Sequence, residues 1–208
     1  MLPLLGIDTW KEKSLSDFAA EILHIRPKPL ILIDGDGGSG KTTLAKRLAE
    51  ILNANLVSSD DICWCADPIH WDDEMLTCVV RPWLDGKNVA HRPTGWVKEN
   101  RPGFIAVDAK KALIIEGMGA CRKTLRKVAA YSIWVDTEPD IARTRVIERD
   151  LAAGENGGTL ESVTEVTDWW DSLVHPFLLE EEPWKYVDTI VSGSQSDLFS
   201  DNPIINFT

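Results

Sequence analysis

One short stretch, Gly35 to Thr43, constrains the fold of this chain more than any other. It reads GDGGSGKTT and follows an aliphatic run, PLILID, whose length and composition are typical of a strand buried on both faces. After it, Leu44, Leu48 and Ile51 recur at helical spacing. Glycines let backbone N–H groups turn inward around an anion, and the helix that starts here adds its unpaired amides. The sequence therefore predicts a strand, a phosphate-binding turn and a helix.

The spacing of this stretch matches the phosphate-binding (Walker A) pattern G-x-x-x-x-G-K-[ST]. In that pattern, Lys41 reaches the β and γ phosphates, and the hydroxyl of Thr42 ligates Mg²⁺. A chance glycine turn is the alternative, but the flanking strand and helix favour the binding of a nucleoside triphosphate. The predicted nucleotide-binding residues are Gly35, Asp36, Gly37, Gly38, Ser39, Gly40, Lys41, Thr42 and Thr43.

Length and charge limit the class of protein. The chain has 208 residues, 44% of them hydrophobic, which is enough for one sizeable α/β core. Its formal net charge of -11 disfavours a polymeric nucleic acid or an anionic membrane as a partner. No apolar run approaches the roughly 20 residues of a membrane-spanning helix, and the N-terminus lacks a basic leader. We expect a cytoplasmic protein without a membrane partner.

The chain contains four cysteines, which we expect to be reduced thiols rather than a disulfide frame. Cys63 and Cys65 together with His70 could be zinc ligands. However, C-x-C without a second matching pair is a weak metal-binding pattern.

Strands alternate with helices along the chain, which predicts a parallel, doubly wound sheet of five strands with helices on both faces. A capping pattern at Ser14 and Asp17 starts a lead-in helix, and a later helix is expected to end before Pro176. The predicted strands lie at 30–33, NLVSS up to Ser59, ALIIEG (112–117), YSIWVD (131–136) and VDTIVS, the last of the five.

More than 50 residues separate the second and third strands, which is too many for a simple crossover. We therefore predict one domain over residues 1–193. It contains an acceptor-binding insertion at 60–105 and a short lid region at 143–160. We expect the tail at 194–208 to be irregular.

Three carboxylates lie at or just after the carboxyl ends of predicted strands, where ligands bind in open α/β sheets. They are Asp60, Asp61 and Glu116. One could hold Mg²⁺ and another could accept the proton of an attacking hydroxyl. Alternatively, Asp60 or Asp61 only caps a helix.

Arginines cluster on the helix predicted at 139–153. Arg145 and Arg149 are four residues apart, so they share one face and could bind a common anion once a lid closes. Surface pairs of these arginines with Glu148 and Asp150 are the alternative interpretation.

Several segments together resemble a known family. LILIDGDGGSGKTTLAKRLAE, VSSDD, ALIIEGMGA, WVDTEPDIARTRVIERD and HPFLLEEEPWKYVDTIVSG have the order and approximate spacing of the uridine kinase-like P-loop kinases, which are related to phosphoribulokinase and pantothenate kinase. The resemblance runs from about residue 30 to 193. It implies the three-layer P-loop NTPase fold, with ATP and Mg²⁺ as cofactors. It also implies that Asp60 is the base, that Glu116 supports the metal, and that Arg145 and Arg149 contact phosphates.

The acceptor segment departs from that family. Uridine kinases carry P-x-Y-D-F followed shortly by His, whereas this chain reads RPTGWVKENRPGF and retains Pro93 without the Tyr, Asp and His. Aromatic faces could stack on a planar or sugar-like ligand here, and arginine could bind a carboxylate or phosphate. The candidate acceptor-binding residues are Asp60, Trp64, His70, Trp71, Arg92, Trp96 and Arg101.

The leading hypothesis is a Mg·ATP-dependent kinase that phosphorylates a hydroxyl of a small molecule, with nucleosides among the candidates. Its catalytic residues would be Lys41, Asp60, Arg145 and Arg149, and Thr42 and Glu116 would hold the metal. The alternatives are a nucleoside monophosphate kinase and a non-catalytic ATP-binding switch. The sequence leaves a homo-oligomer open.

Overall fold

Strands and helices alternate along residues 2–3, 5–198 and 200–208, which the computed structural model describes. The strands are β1 (Lys11–Ser14), β2 (Leu30–Gly35), β3 (Asn55–Ser58), β4 (Val89–His91), β5 (Ile105–Val107), β6 (Leu113–Glu116), β7 (Tyr131–Asp136), β8 (Thr189–Ser192) and β9 (Ile204–Phe207). The α-helices are α1 (Leu15–Ile25), α2 (Lys41–Leu52), α3 (Ser59–Cys63), α4 (Asp72–Glu74), α5 (Arg81–Leu84), α6 (Thr94–Lys98), α7 (Lys123–Arg126), α8 (Pro139–Ala153) and α9 (Leu160–Glu181). A π-helical segment (Met75–Val80) joins α4 to α5, and a 3₁₀ turn (Pro183–Lys185) follows α9.

The main sheet has seven strands in the order β1-β9-β8-β7-β2-β6-β3. The five strands from β8 to β3 pair in parallel, as the sequence predicts. The predicted count of five is wrong for the whole sheet, because β9 pairs antiparallel with β8, and β1 pairs antiparallel with β9. Strand β1 is half exposed and polar, so its sequence lacks the continuous apolar run that marks a buried strand.

Both faces of the sheet are covered, and β2 shows why. Leu30 and Leu32 pack into one apolar cluster, whereas Ile31 and Ile33 pack into another with α1 and α2. Successive side chains of a strand point to opposite faces, so a strand between two helical layers is apolar at every position. The three-layer, doubly wound architecture is therefore confirmed.

Helix α1 begins as the sequence predicts. The side chain of Ser14 accepts a hydrogen bond from the backbone N–H of Asp17, and Leu15, Phe18 and Ile22 are buried.

The predicted end of α9 before Pro176 is wrong, because the helix continues to Glu181. Proline removes one backbone donor from a helix. The burial of neighbouring apolar side chains of α9 against the core offsets that loss.

The insertion between β3 and β6 contains a second, two-stranded sheet of β4 and β5. Three tryptophans anchor this insertion to the main sheet: Trp71, Trp83 and Trp96 are buried in the same cluster as Leu30. The indole N–H of Trp83 donates to the carbonyl of Lys111 at 2.9 Å. These large rings therefore stabilise the insertion.

No helix among the described residues has the length and apolar composition needed to cross a bilayer.

The tail also departs from expectation. We expected residues 194–208 to be irregular, but Ile204–Phe207 form β9, and Ile205 is fully buried in the cluster that contains Ile31 and Leu44. The tail is therefore part of the core.

This placement predicts the effect of truncating Ile205. Ile205→Ala should lower the free energy of unfolding by about 2–4 kcal/mol, because a buried isoleucine leaves a cavity. Denaturant unfolding measures this, and Asn202→Ala, at an exposed site in the same tail, should change it by less than about 0.5 kcal/mol. Equal stabilities of both variants would show that the tail does not pack as described.

Candidate active site

The glycine loop connects β2 to α2 in a conformation that only glycine adopts freely at two positions. Gly38 and Gly40 have φ values of 73° and 98°. A Cβ at Gly38 would lie 2.0 Å from the carbonyl oxygen of Ala142 in α8. Helix α8 therefore packs directly against the loop, and a side chain at Gly38 would push it away.

A buried carboxylate lies directly before the loop. Asp34 is fully buried and accepts hydrogen bonds from the N–H groups of Gly35 (2.8 Å), Gly119 (2.9 Å) and Cys121 (2.9 Å). Burial raises the pKa of Asp34 to about 6, and these three hydrogen bonds oppose the shift. Asp34 thus ties the start of the loop to the segment after β6. Sequence reasoning missed this role, although an aspartate inside an aliphatic strand is a visible signal.

The first turn of α2 carries Lys41 and Thr42 into the site. Lys41 Nζ donates to the backbone carbonyl of Asp36 at 3.1 Å, and Thr42 Oγ1 donates to Glu116 Oε2 at 3.0 Å. Glu116 is buried at the end of β6, where Ile33 of β2 is its neighbour in register. Two oxygens that the sequence places 74 residues apart are thus joined by a hydrogen bond.

The remaining loop residues frame the site. The carboxylate of Asp36 accepts from the N–H of Gly37 at 2.8 Å. Ser39 is buried, and its carbonyl accepts from Thr137 Oγ1 at 2.9 Å. Thr43 lies in the first turn of α2.

A cavity of about 860 Å³ opens between the loop and the α8–α9 pair. Charged and aromatic side chains from several parts of the chain line it. Among them are Asp36, Lys41, Asp60, Arg143, Arg149, Trp169, Trp170, Asp171 and His175. The cavity is large enough for a nucleotide and a small acceptor together.

The structure distinguishes Asp60 from Asp61. Both lie in the first turn of α3, and the cap of that helix is Ser58, whose side chain accepts from the N–H of Asp60. Asp60 lines the cavity. Asp61 Oδ1 instead accepts from Arg101 Nη2 at 3.2 Å. The capping alternative for these two aspartates is therefore wrong, and Asp60 is the better placed of the two for chemistry.

Four of the acceptor candidates gather into one cluster. The guanidinium of Arg101 lies 3.8 Å from the ring centroid of Trp96 and 5.0 Å from that of Trp64. Arg92 Nη2 donates to the carbonyl of Arg101 at 2.8 Å. The indole N–H of Trp96 donates to the carbonyl of Asp61. This cluster lies beside α3 and does not line the cavity described above.

The other two acceptor candidates lie apart. His70 is exposed and contacts Asp67 at 3.0 Å. Trp71 is buried in the core, where the guanidinium of Arg122 lies 4.2 Å from its ring centroid. Of the seven acceptor candidates, Asp60 is the one that lines this cavity.

Arg145 and Arg149, the two arginines predicted to act from a lid, make different contacts. Arg145 Nη1 donates to the carbonyl of Gly193 at 3.1 Å and approaches that of Gly38 at 3.4 Å. Arg149 lines the cavity, and its Nε donates to Asp150 Oδ1 at 2.8 Å. The surface pair predicted as an alternative for Arg149 is thus present, and the arginine still faces the cavity.

A cluster that sequence reasoning missed links α9 to the loop. His175 Nε2 lies 3.2 Å from both carboxylate oxygens of Asp36 and 3.7 Å from Asp171 Oδ1. The hydrogen bond to Asp36 raises the pKa of His175, and burial raises that of Asp171. One ligand atom from each of the three residues lies within 4.8 Å of the others, close enough to share one cation. A lone histidine before Pro176 gives no signal of this contact.

Uridine kinases are among the proteins that this chain resembles in sequence. No protein-family model matches the chain. Over 152 residues the chain is 26% identical to the uridine kinase of Borrelia duttonii (strain Ly), covering 65% of this chain and 73% of that kinase. The uridine kinase of Borrelia turicatae (strain 91E135) gives the same values.

Two solved structures share the fold. One is a candidate fructose transport system kinase from Silicibacter sp. TM1040, with 19% identity, a TM-score of 0.52, and coverage of 74% of this chain and 89% of that one. The other is a candidate uridine kinase from Bacillus stearothermophilus, with 19% identity, a TM-score of 0.51, and coverage of 85% and 96%.

The sheet order and the glycine loop define the three-layer P-loop NTPase fold, which the two solved structures share. In sequence the chain is similar to uridine kinases, which agrees with the resemblance that its motifs indicate. Its relatives indicate a kinase that acts on a small molecule.

The packing of α8 on the loop predicts the effect of a methyl group at Gly38. Gly38→Ala should lower the free energy of unfolding by clearly more than a positive φ alone costs a non-glycine residue, because α8 must also move. Gly154→Ala is the matched control, since Gly154 has a φ of 66° and open space around it, and it should cost only about 1–2 kcal/mol. Denaturant unfolding compares them. Losses within about 0.5 kcal/mol of each other would contradict the contact between α8 and the loop.

Proposed function

We propose that this protein is a Mg·ATP-dependent kinase that transfers the γ-phosphate to a hydroxyl of a small molecule, with nucleosides among the candidate acceptors. One observation carries the proposal most directly: Lys41 and Asp60 line the same cavity, although they follow different strands. A cation that holds phosphate and a carboxylate that accepts a proton are the two groups that phosphoryl transfer to a hydroxyl needs.

The loop would bind the phosphates of ATP. Its positive-φ glycines and the start of α2 supply N–H groups without side chains in the way. Lys41 Nζ would leave the carbonyl of Asp36 and contact the phosphates, because a polyanion attracts the ammonium group more strongly than a neutral carbonyl does.

Thr42 and Glu116 would hold Mg²⁺. Their oxygens are in contact, and hydroxyl and carboxylate oxygens are the ligands that this ion prefers. Bound there, the ion would neutralise charge on the phosphates.

Asp60 would be the general base. It follows β3 at the same edge of the sheet as the loop, since Ser58 and Ile33 both pair with Glu116. Its carboxylate lines the cavity, so it could accept the proton of the attacking hydroxyl. Arg149 lines the cavity and would contact the phosphates, whereas Arg145 would do so only after leaving the carbonyls of Gly38 and Gly193.

Two alternatives compete with this proposal. A nucleoside monophosphate kinase would need free cations near its acceptor. Outside the cavity, however, Arg92 donates to the carbonyl of Arg101, and Arg101 donates to the carboxylate of Asp61. An ATP-binding switch would hydrolyse ATP slowly whatever acceptor is present. A screen of hydroxylated metabolites for stimulated ADP release distinguishes the switch from the kinase.

The role of Lys41 predicts a loss of activity without a loss of fold. Lys41→Ala should reduce acceptor-stimulated ADP release by about 10²-fold or more, because the transferred phosphate loses its cation. Lys46→Ala, at an exposed position of the same helix, should retain wild-type turnover. Unchanged turnover in Lys41→Ala would contradict the proposed mechanism.

The role of Asp60 predicts an effect on turnover rather than on ATP binding. Asp60→Asn should lower kcat by about 10²-fold or more while ATP still binds, because the amide cannot accept the proton. Asp61→Asn is the control and should retain most of its kcat, since that carboxylate contacts Arg101. A larger loss of kcat in Asp61→Asn than in Asp60→Asn would assign the role of general base to Asp61. A change in ATP affinity alone in Asp60→Asn would assign Asp60 to the metal site.

A further inference from the structure

We infer that His175 is a positioning residue of the proposed kinase, and that it neutralises the loop carboxylate of Asp36 so that the phosphates of ATP can bind beside it. The inference rests on the proposed function, because it assumes that the loop binds a polyanion. It adds a residue of α9, a helix far from the loop in sequence, to the nucleotide site.

The loop carries a charge that opposes its proposed ligand. Asp36 is the second residue of the phosphate-binding stretch, and its carboxylate lines the same cavity as Lys41. A carboxylate within a few ångströms of a polyphosphate repels it, most strongly where water is excluded. A site built to bind ATP therefore needs a cation that cancels this charge.

His175 supplies that cation. Its Nε2 donates toward both carboxylate oxygens of Asp36 at 3.2 Å, across 139 residues of chain. The imidazole is mostly buried. A neutral imidazole with its proton on Nε2 would satisfy the hydrogen bond, but only the imidazolium cancels the charge.

The surroundings of His175 favour the charged ring. Within the described chain, Asp36 faces it from the loop and Asp171 lies 3.7 Å away on the same helix. Arg143 of α8 contacts Asp171 at 3.5 Å and is shared with Asp168, so it offsets only part of this negative charge. Lys41 of α2 lines the same cavity, and its Nζ contacts the carbonyl of Asp36 rather than the carboxylate.

The other two arginines of α8 have different hydrogen-bond partners. Arg149 donates to Asp150, and Arg145 donates to the carbonyl of Gly193. Among the contacts of the described residues, His175 is thus the cationic side chain that meets the Asp36 carboxylate.

A double-mutant cycle tests the inference. Calorimetry would measure the affinity of the full chain for Mg²⁺ and a non-hydrolysable ATP analogue. His175→Ala should weaken binding by about 10-fold or more, because it leaves Asp36 uncompensated. In an Asp36→Asn background, the same change should reduce the affinity by less than about threefold, because no carboxylate remains to be neutralised.

The pH dependence gives a second readout that a purely structural role would not move. Because the pKa of His175 is raised above its usual range, the imidazolium is fully present below that usual range and is lost as the pH rises through the raised value. The affinity advantage of the wild type over His175→Ala should therefore persist through the pH range in which an ordinary histidine loses its proton, and shrink only at higher pH. In the Asp36→Asn background, no such trend is expected.

The outcomes separate this inference from the proposed function. If the wild type fails to bind the analogue, the proposed function fails. Suppose instead that the wild type binds the analogue, but His175→Ala leaves the affinity unchanged or reduces it equally with and without the Asp36→Asn change. The inference about His175 then fails while the proposed function stands. His91→Ala is a matched control, because His91 forms a similar ion pair with Glu74 at 2.9 Å outside the cavity and should leave the affinity unchanged.

Discussion

The carboxylate of Asp34 holds together the two segments from which the site is built. It accepts three backbone N–H groups, one from the start of the loop and two from the turn after β6. An unpaired carboxylate at this depth would be costly, so the segments must keep this arrangement for the chain to fold. The contact between Thr42 and Glu116 follows from it, because β2 and β6 then end side by side.

The parts of the fold that the sequence predicts are those encoded locally. Each of the five parallel strands contains at least two adjacent aliphatic or aromatic residues, and α1 has its cap and its apolar face within a few residues. Strands β1 and β9 could not be predicted in this way. They pair with each other across the length of the chain, and no local pattern encodes that contact. Pro176 is a strong local signal for a helix end, but tertiary packing overrides it.

The same distinction holds for the candidate site. Thr42 and Glu116 each follow a recognisable strand, so the rule that ligands bind at the carboxyl ends of parallel strands predicts their meeting. Tryptophans are abundant along the whole chain, but packing decides which of them stabilise the core and which line the cavity. Trp71 is a core residue, whereas Trp170 of α9 lines the cavity. The contact of His175 with Asp36 could not be predicted from the sequence, because it depends on how α9 lies against the loop.

In the proposed kinase, the loop binds the phosphates of ATP, and Thr42 and Glu116 hold the metal. A crystal structure with Mg²⁺ and a non-hydrolysable ATP analogue would show whether they do. We expect phosphate oxygens within hydrogen-bond distance of the loop N–H groups, an ion contacting Thr42, and Lys41 Nζ moved from the carbonyl of Asp36 to a phosphate. An analogue bound elsewhere, or an empty loop at saturating concentration with Lys41 still on that carbonyl, would contradict the claim.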